Sequence, residues 1–399
     1  MKYKTYKIKD LINEISMGPF GSNIKVECFV DSGIPVLNGS NLTGFALNDN
    51  SFRYVTPEKA DSLGKANAYR GDIVITHRGT LGQIVFIPEN SKYSRYVISQ
   101  SQFRVKCNEK VLPEYLVYYF HTNAGQHRLL SNASQVGVPA LARASTTFQT
   151  LEIDIPDVTE QRKIVDLLEP IREKIELNNA INNNLEQQAQ AIFENEFSSL
   201  QSLPDGWKLA SLIDIADYLN GLAMQKYRPS TNEIGIPVLK IKELRQGYCD
   251  DNSEFCSPSI KSDYIIHDGD VIFSWSGSLL VDFWCGGICG LNQHLFKVSS
   301  SKYDKWFYYA WTKHHLDRFI AVAADKATTM GHIKRDELAK AEVLIPNEAD
   351  YNRIGALLQP IYDLIISNRI ENKKLAETRD SLLPKLMSGE IDMSEVDYE

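Results

Sequence analysis

The chain has no uninterrupted apolar run of eighteen residues, and its opening, MKYKTYKIKD, has no apolar centre. Neither a membrane-spanning helix nor a secretory leader is expected, so the reading is of a cytoplasmic protein that meets no membrane. Cysteine is scarce: Cys28, Cys107, Cys249, Cys256, Cys285 and Cys289 are the only six in 399 residues. That is too few to staple a chain of this size, and reduced, mostly buried thiols are expected. Four of the six crowd into 249–289, but their C-x6-C and C-x3-C spacings match no zinc knuckle pair, and no metal site is expected. Also missing are a G-x-x-x-x-G-K-[ST] phosphate loop and a Gly-rich cofactor loop following a strand. The ENK at 371–373 has the E-x-K of a nuclease strand, but it lies in a helical pattern where a solvated charge pair is the simpler reading. His77, His294 and His332 have no Ser, Cys or Asp partner at a catalytic spacing. No catalytic residue is expected.

Positive charge is also in short supply, with 43 Lys and Arg against 51 Asp and Glu, net -8. Taken whole, that balance argues against nucleic acid. Its distribution points the other way: residues 1–157 carry +3 and 201–346 carry -2, while 158–200 and 347–399 carry -4 and -5. Two near-neutral globules can bind a polyanion through local cations, with help from a partner.

What the chain does contain is itself, twice. GIPVLNGSNL (33–42) matches GIPVLKIKEL (235–244) at an offset of 202, and GDIVITHRGTLGQIVFI (71–87) matches GDVIFSWSGSLLVDFWC (269–285) at 198. QSQFRV (100–105) falls on QHLFKV (293–298) at 193, and LLEPI (167–171) on LLQPI (357–361) at 190. A smoothly falling offset is what loops of unequal length between corresponding elements produce. Each copy begins with about 150 residues of short β-type runs punctuated by Gly, Pro, Asn and Ser, then ends in a long helical pattern at about 159–199 and 349–388. QSLPDGW (201–207) is the hinge between copies. The expected domains are a globule at 1–157, a long helix at 158–200, a second globule at 201–346, and a second helix with tail at 347–399.

Stepping alternately four and three residues through the first helix gives Ile164, Leu168, Ile171, Ile175, Asn178, Asn182, Leu185, Ala189 and Ile192. The second gives Ile354, Leu358, Ile361, Ile365, Asn368, Asn372, Leu375, Arg379 and Leu382. An apolar stripe of this kind suits a helix packed on its own globule. A repeat related by an approximate two-fold would instead pair the helices antiparallel, with Asn178 near Asn372 and Asn182 near Asn368. Buried Asn is satisfied only by another polar group, so the four would set the register of the helix pair. Pro170 and Pro360 occupy equivalent places near the helix starts, where a kink is expected. The fold class is therefore α+β: two similar, mostly-β domains separated by an antiparallel pair of long helices, in a pseudo-two-fold tandem repeat.

Two unlike heads at a fixed separation suit a DNA site with two short specified sequences and a spacer. The chain resembles the specificity (S) subunits of Type I restriction–modification systems along essentially its whole length. The resemblance rests on LPDGWKLASLIDIADY, GPFGS, GDIVITHRGTLG with GDVIFSWSGSL, SQSQF with LNQHLF, and the helix openings TEQRKIVDLLEPI and IPNEADYNRIGALLQPI. ADYNRIG departs from the family's pattern where TEQRKIV keeps to it. The resemblance implies two target-recognition domains that read a bipartite asymmetric site in double-stranded DNA. It implies that the helices set the unspecified spacing and dock two adenine-N6 methyltransferase subunits, with ATP-dependent restriction subunits joining a larger complex. S-adenosylmethionine, ATP and Mg would belong to those partners and no cofactor to this chain, which also lacks an NPPY-like methyltransferase motif. The competing readings are an enzyme in its own right and a two-headed protein-interaction scaffold that binds no specific DNA sequence.

Base readout needs donors and acceptors on loops or strand ends, and phosphate contacts need Lys, Arg, Ser, Thr or backbone N–H. The first copy offers Ser22, Asn23 and Lys25; Asn38, Ser40 and Asn41; Thr76, His77, Arg78 and Thr80; and Arg143, Ser145 and Thr146. Arg78, between two strand-like runs, is the foremost candidate. The second copy offers Lys240 and Lys242; Ser274, Trp275 and Ser276; Gln293 and His294; and Thr328, Thr329, His332 and Lys334. Trp275 stands where His77 stands in the first copy. It suits a reader of different chemistry or, given the gain from burying an indole, a core residue.

Overall fold

The computed structural model describes residues 2–19, 23–134, 137–325 and 335–394. The chain forms two compact units, one of residues 1–172 with 377–399, the other of residues 173–376. Both unit boundaries fall inside long helices.

In the first unit Asp72–Thr76 is the apolar run DIVIT, buried on both faces as a central strand requires. Its alternation divides two cores: Ile73 and Ile75 enter one with Phe103 and Val105, and Val74 enters the other with Val85 and Ile87. Around it lies an antiparallel sheet in the order Ile12–Met17, Gln102–Cys107, Asp72–Thr76, Ile84–Phe86. A second sheet runs Phe29–Val30, Arg53–Val55, Ile34–Val36, Arg95–Val97, Asn67–Tyr69, with Ile34–Val36 and Arg95–Val97 its one parallel pair. Lys4–Lys7 and Glu152–Ile155 pair across the ends of the globule. Helix Pro113–His121 starts with Pro, whose missing N–H costs nothing there, and buries Tyr115, Leu116, Tyr118 and Phe120 in the first core.

The second unit repeats this plan. Its sheets are Asp217–Asn220, Leu295–Ser299, Val271–Ser274, Leu280–Phe283, and Phe255–Cys256, Ile236–Leu239, Cys289–Leu291, Ile265–Ile266. Ile236–Leu239 and Cys289–Leu291 are again the parallel pair. Lys208–Ser211 pairs with Glu342–Ile345, and helix Lys305–His314 buries Trp306, Phe307, Tyr309 and Trp311. A charge pair, buried in the first copy and partly buried in the second, is duplicated too. Arg104 reaches Asp72 at 3.3 Å and Glu14 at 2.9 Å, and at the offset positions Lys297 lies 2.8 Å from Asp270.

The first long helix is Val158–Phe193, prolonged by a π-helical turn Glu194–Ser198; the second is Glu348–Ser388. Asp157 Oδ1 caps the first by accepting from Glu160 N, and Asn347 Oδ1 caps the second by accepting from Asp350 N. Gly389, at φ +78°, ends the second in the left-handed conformation that favours glycine. Neither Pro170 nor Pro360 interrupts its helix.

Within the second unit the helix segments run antiparallel. Asn178 Nδ2 donates to Asn372 Oδ1 at 2.8 Å, and Asn368 Nδ2 donates to Asn182 Oδ1 at 2.9 Å. Asn178 also donates to Glu371 at 2.7 Å, and Asn372 to Asn179 at 2.9 Å. Lys174 sits 3.3 Å from Glu371, so the ENK glutamate is part of a half-exposed ion pair. Toward their outer ends in this unit, Ala189, Phe193, Ile354, Leu358 and Ile365 join the aromatic core of the globule. In the first unit Ile164, Val165 and Leu168 share a core with Leu383, Leu386 and Met387. The seam is thus polar where helix meets helix at the asparagines, and apolar where it also meets a globule.

All six cysteines are free thiols. Burial pushes Cys285 and Cys249 up to about 11 and Cys107 to about 12. Among the described residues no three potential ligands come together as a metal site.

Candidate nucleic-acid interface

The interface is assembled from the loops at one end of each central hairpin. In the first unit, strands Asp72–Thr76 and Ile84–Phe86 are joined by residues 77–83. Gly79 and Gly82 turn at φ +92° and +88°, a region costly for any side chain. Helix Asn123–Leu129 holds this turn, with Gln126 Nε2 donating to Gly82 O at 2.9 Å. Gln83 Nε2 donates to Gly39 O at 2.9 Å, which ties in the loop at 38–41. Gly79 N donates to Pro139 O and Leu141 N to His77 O, both at 2.8 Å, which brings in the loop at 137–143. Three stretches far apart in sequence therefore meet at one edge and present Asn38, Ser40, Arg78, Thr80 and Arg143 to solvent. Arg143 sits at φ +47°, a strained place for a residue with a Cβ. Neither Arg78 nor Arg143 has a carboxylate partner among the described residues. Ser145 is half-buried and Thr146 exposed on the helix that follows Arg143.

Two of the expected readers are structural instead. Asn41 is fully buried, its amide donating to Asn48 O and Asn50 O at 3.0 and 2.7 Å while its Oδ1 accepts from Asn38 N. Thr76 is buried in its strand and donates to Gln83 Oε1 at 3.0 Å. Their polar atoms hold the loops and are not offered outward. His77 is half-buried, with Nε2 3.1 Å from Gln100 O. A carbonyl only accepts, so Nε2 carries a proton. Burial, and secondarily Arg78 beside it, lowers its pKa and keeps it neutral. Asn23 is exposed; Lys25 is exposed and 3.5 Å from Glu27. Ser22 lies outside the described residues.

The equivalent edge of the second unit uses other chemistry. Trp275 lies over Phe296 at 5.6 Å between centroids, as His77 lies 6.3 Å from Phe103 at the matching place. The indole N–H donates to Asn220 Oδ1 at 3.1 Å and the ring packs on the core, so Trp275 is a core-edge residue with its donor already engaged. Ser276 Oγ is 3.1 Å from His294 Nδ1, and Gln293 Nε2 is 3.3 Å from His294 Nε2. A Gln amide nitrogen only donates, which puts the imidazole proton on Nδ1, facing Ser276. His294 and Gln293 are half-buried at the rim.

Two expectations are corrected here. Ser274 is buried, donating to Ser278 O at 2.8 Å, and Ser276 is buried behind His294. Lys240 is held by Glu254, and Lys242 lies 2.8 Å from Asp250. The Asp250 hydrogen bond raises the Lys242 pKa and lowers that of Asp250. Each of these two lysines is paired with a carboxylate of its own globule, as Lys25 is with Glu27. Thr328, Thr329, His332 and Lys334 lie outside the described residues.

Reading by sequence passed over Arg245, at the end of the short helix Ile241–Gln246, whose guanidinium donates to Ser278 Oγ on the turn. Nothing in the repeat marks it, because the matching position in the first copy is Thr43. Two further glycines are needed for the edges to close. A Cβ on Gly18 would lie 1.9 Å from Ser99 O, and one on Gly221 would lie 2.2 Å from Asn292 O.

A family model described as the Type I restriction modification DNA specificity domain matches residues 2–187 and again 204–377. The Type I restriction enzyme MjaIX specificity subunit of Methanocaldococcus jannaschii is 25% identical over 417 residues, spanning 98% of this chain and 94% of the relative. The HindI specificity subunit of Haemophilus influenzae is 21% identical, across 88% and 93%. The crystal structure of a Type I restriction-modification S subunit from M. genitalium covers 96% of each chain with a TM-score of 0.58 at 13% identity, a likeness of fold.

Proposed function

Because this chain belongs to the Type I restriction modification DNA specificity family, we propose that it is the subunit that chooses the DNA sequence on which its partner enzymes act. Its two globules recognise DNA sequence specifically, each taking one half of a bipartite asymmetric site. The observation that carries this reading is the pair of equivalent loop edges with unlike chemistry. Imidazole, hydroxyls and two uncompensated guanidiniums stand on the first; His294, Gln293 and a screened indole stand on the second. Identical heads would read a symmetric site, whereas these differ at the same structural place. The scaffold reading is set aside by the family assignment.

The chain acts, on this proposal, in the cytoplasm without a catalytic group or cofactor of its own. Two methyltransferase subunits would bring S-adenosylmethionine, and restriction subunits would bring ATP and Mg. Among the described residues no helix is long and apolar enough to cross a membrane. The exposed residues proposed to touch DNA are Asn23, Lys25, Asn38, Ser40, Arg78, Thr80, Arg143 and Thr146, together with the rim residues His77, Ser145, Gln293 and His294.

Long-read sequencing of methylated adenines in the host, with and without this gene, tests the proposal. One bipartite motif with unlike halves is expected to vanish with the gene. An unchanged set of methylated motifs refutes it.

A further inference from the structure

Resting on that reading, we infer that Arg245 is the DNA-contacting guanidinium of the second globule, filling at its hairpin tip the place that Arg78 fills in the first. The turns at 77–80 and 275–278 correspond. In the first, the second turn residue is Arg78, exposed and without a carboxylate partner among the described residues. In the second, that position is Ser276, buried against His294, so the turn has no cation of its own.

Arg245 supplies one from a different element. It is exposed, and its Nη2 donates to Ser278 Oγ. The helix carrying it lies against the turn, since a Cβ on Gly277 would meet Ile241 Cδ1 at 3.7 Å. The neighbouring cations each have a carboxylate partner within the globule: Arg228 and Lys240 share Glu254, and Lys242 has Asp250. Arg245 has no such carboxylate among the described residues. A guanidinium left uncompensated by its own globule and fixed by one hydroxyl keeps most of its donor fork free. That fork suits a phosphate or the O6 and N7 of guanine.

The test uses the chain in complex with its methyltransferase partner and a duplex carrying the wild-type methylated motif. Arg245→Ala is expected to weaken binding about ten-fold, the usual worth of one such contact. Its methylation defect is expected in the half-site that changes when residues 201–346 are exchanged. Lys261→Ala, which removes an exposed cation paired with Asp263, is expected to bind like wild type. Arg245→Lys separates the two acceptors: retained binding marks a phosphate, and loss with relaxation at one base marks guanine. Both results keep Arg245 on the DNA. If Arg245→Ala binds and methylates as wild type does, the inference is overturned while the proposed function stands. If the wild-type complex methylates no bipartite motif, the proposed function itself is lost.

Discussion

Asn182 and Asn368 are 5% and 8% exposed and bonded to each other, so each satisfies a group that its partner would otherwise leave stranded. Asn368→Ala is expected to cost about 1–3 kcal/mol, the desolvation of an amide oxygen left without its donor. Replacing both by Leu removes the need along with the partner, and the double variant is expected to recover most of that loss. Urea unfolding midpoints of the single and double variants decide it; equal losses in both would mean that the pair is not a closed unit. A second residue-scale prediction concerns His315, whose ring nitrogen lies 2.8 Å from Glu342 O. Burial first, then His314 and Arg318, push its pKa down to about 4. An unfolded His takes up a proton near pH 6.5. Between about 6.5 and 4 the unfolded chain therefore holds the extra proton, and stability falls as pH falls through that window. His77, His121 and His314 are lowered as well, so the fall belongs to several groups. His315→Gln keeps a donor for Glu342 O and is expected to flatten part of the slope in melting temperature against pH; an unaltered slope would clear His315 of the effect. Polarity at this scale misleads as often as it guides. Asn38 and Asn41 stand three apart and both cap the same short turn, Asn38 Oδ1 accepting from Ser40 and Asn41 Oδ1 from Asn38 N. The bonds to the Asn48 and Asn50 carbonyls also spend the Asn41 amide on the fold and leave that of Asn38 at the surface.

Elements were more legible than residues. The long helices begin and end within a few residues of their heptad patterns, and the asparagines lie opposite one another where the four-and-three stepping puts them. The sheet orders were not readable, because pairing Ile12–Met17 with Gln102–Cys107 depends on partners some ninety residues apart whose local patterns suit several neighbours. Equally hidden was the approach of a cation, Arg245, to the second hairpin from the helix Ile241–Gln246, because its counterpart in the first copy is Thr43. The helices also carry an element-scale prediction. Seven residues added to both, at 172/173 and 376/377, return each helix nearly to its original face. They lengthen it by about 10 Å, the rise of about three base pairs. On the proposal that the helices set the unspecified spacing, the methylated motif is expected to gain about three unspecified positions. Methylome sequencing that finds the old spacing refutes that role.

At the scale of the whole molecule, the duplication means that two equivalent edges, proposed to read DNA, have diverged on one scaffold. The shared parts are those the fold cannot lose: the strand order of the first sheet, the parallel pair in the second, and the ion pairs of Asp72 with Arg104 and Asp270 with Lys297. The unlike parts include turn residues whose backbone those elements hold, Arg78 against Ser276 and His77 against Trp275, and a helix residue beside the second turn, Arg245 against Thr43. Charge follows the same division, since the first globule carries +3 while the helical segments and tail carry the -9 that makes the chain acidic. Because the groups that differ sit on the edge of each globule and the groups that hold the sheets do not, recognition should move with a globule as a block. Exchanging residues 1–157 for the corresponding segment of a relative is expected to replace one half of the methylated motif and leave the other half unaltered. The graft must keep Ile153, Ile155 and the buried face of helix Pro113–His121, which share a core with Ile164, Leu168, Leu383 and Leu386. A soluble chimera that changes both halves, or neither, would show that sequence is not read by the two globules independently.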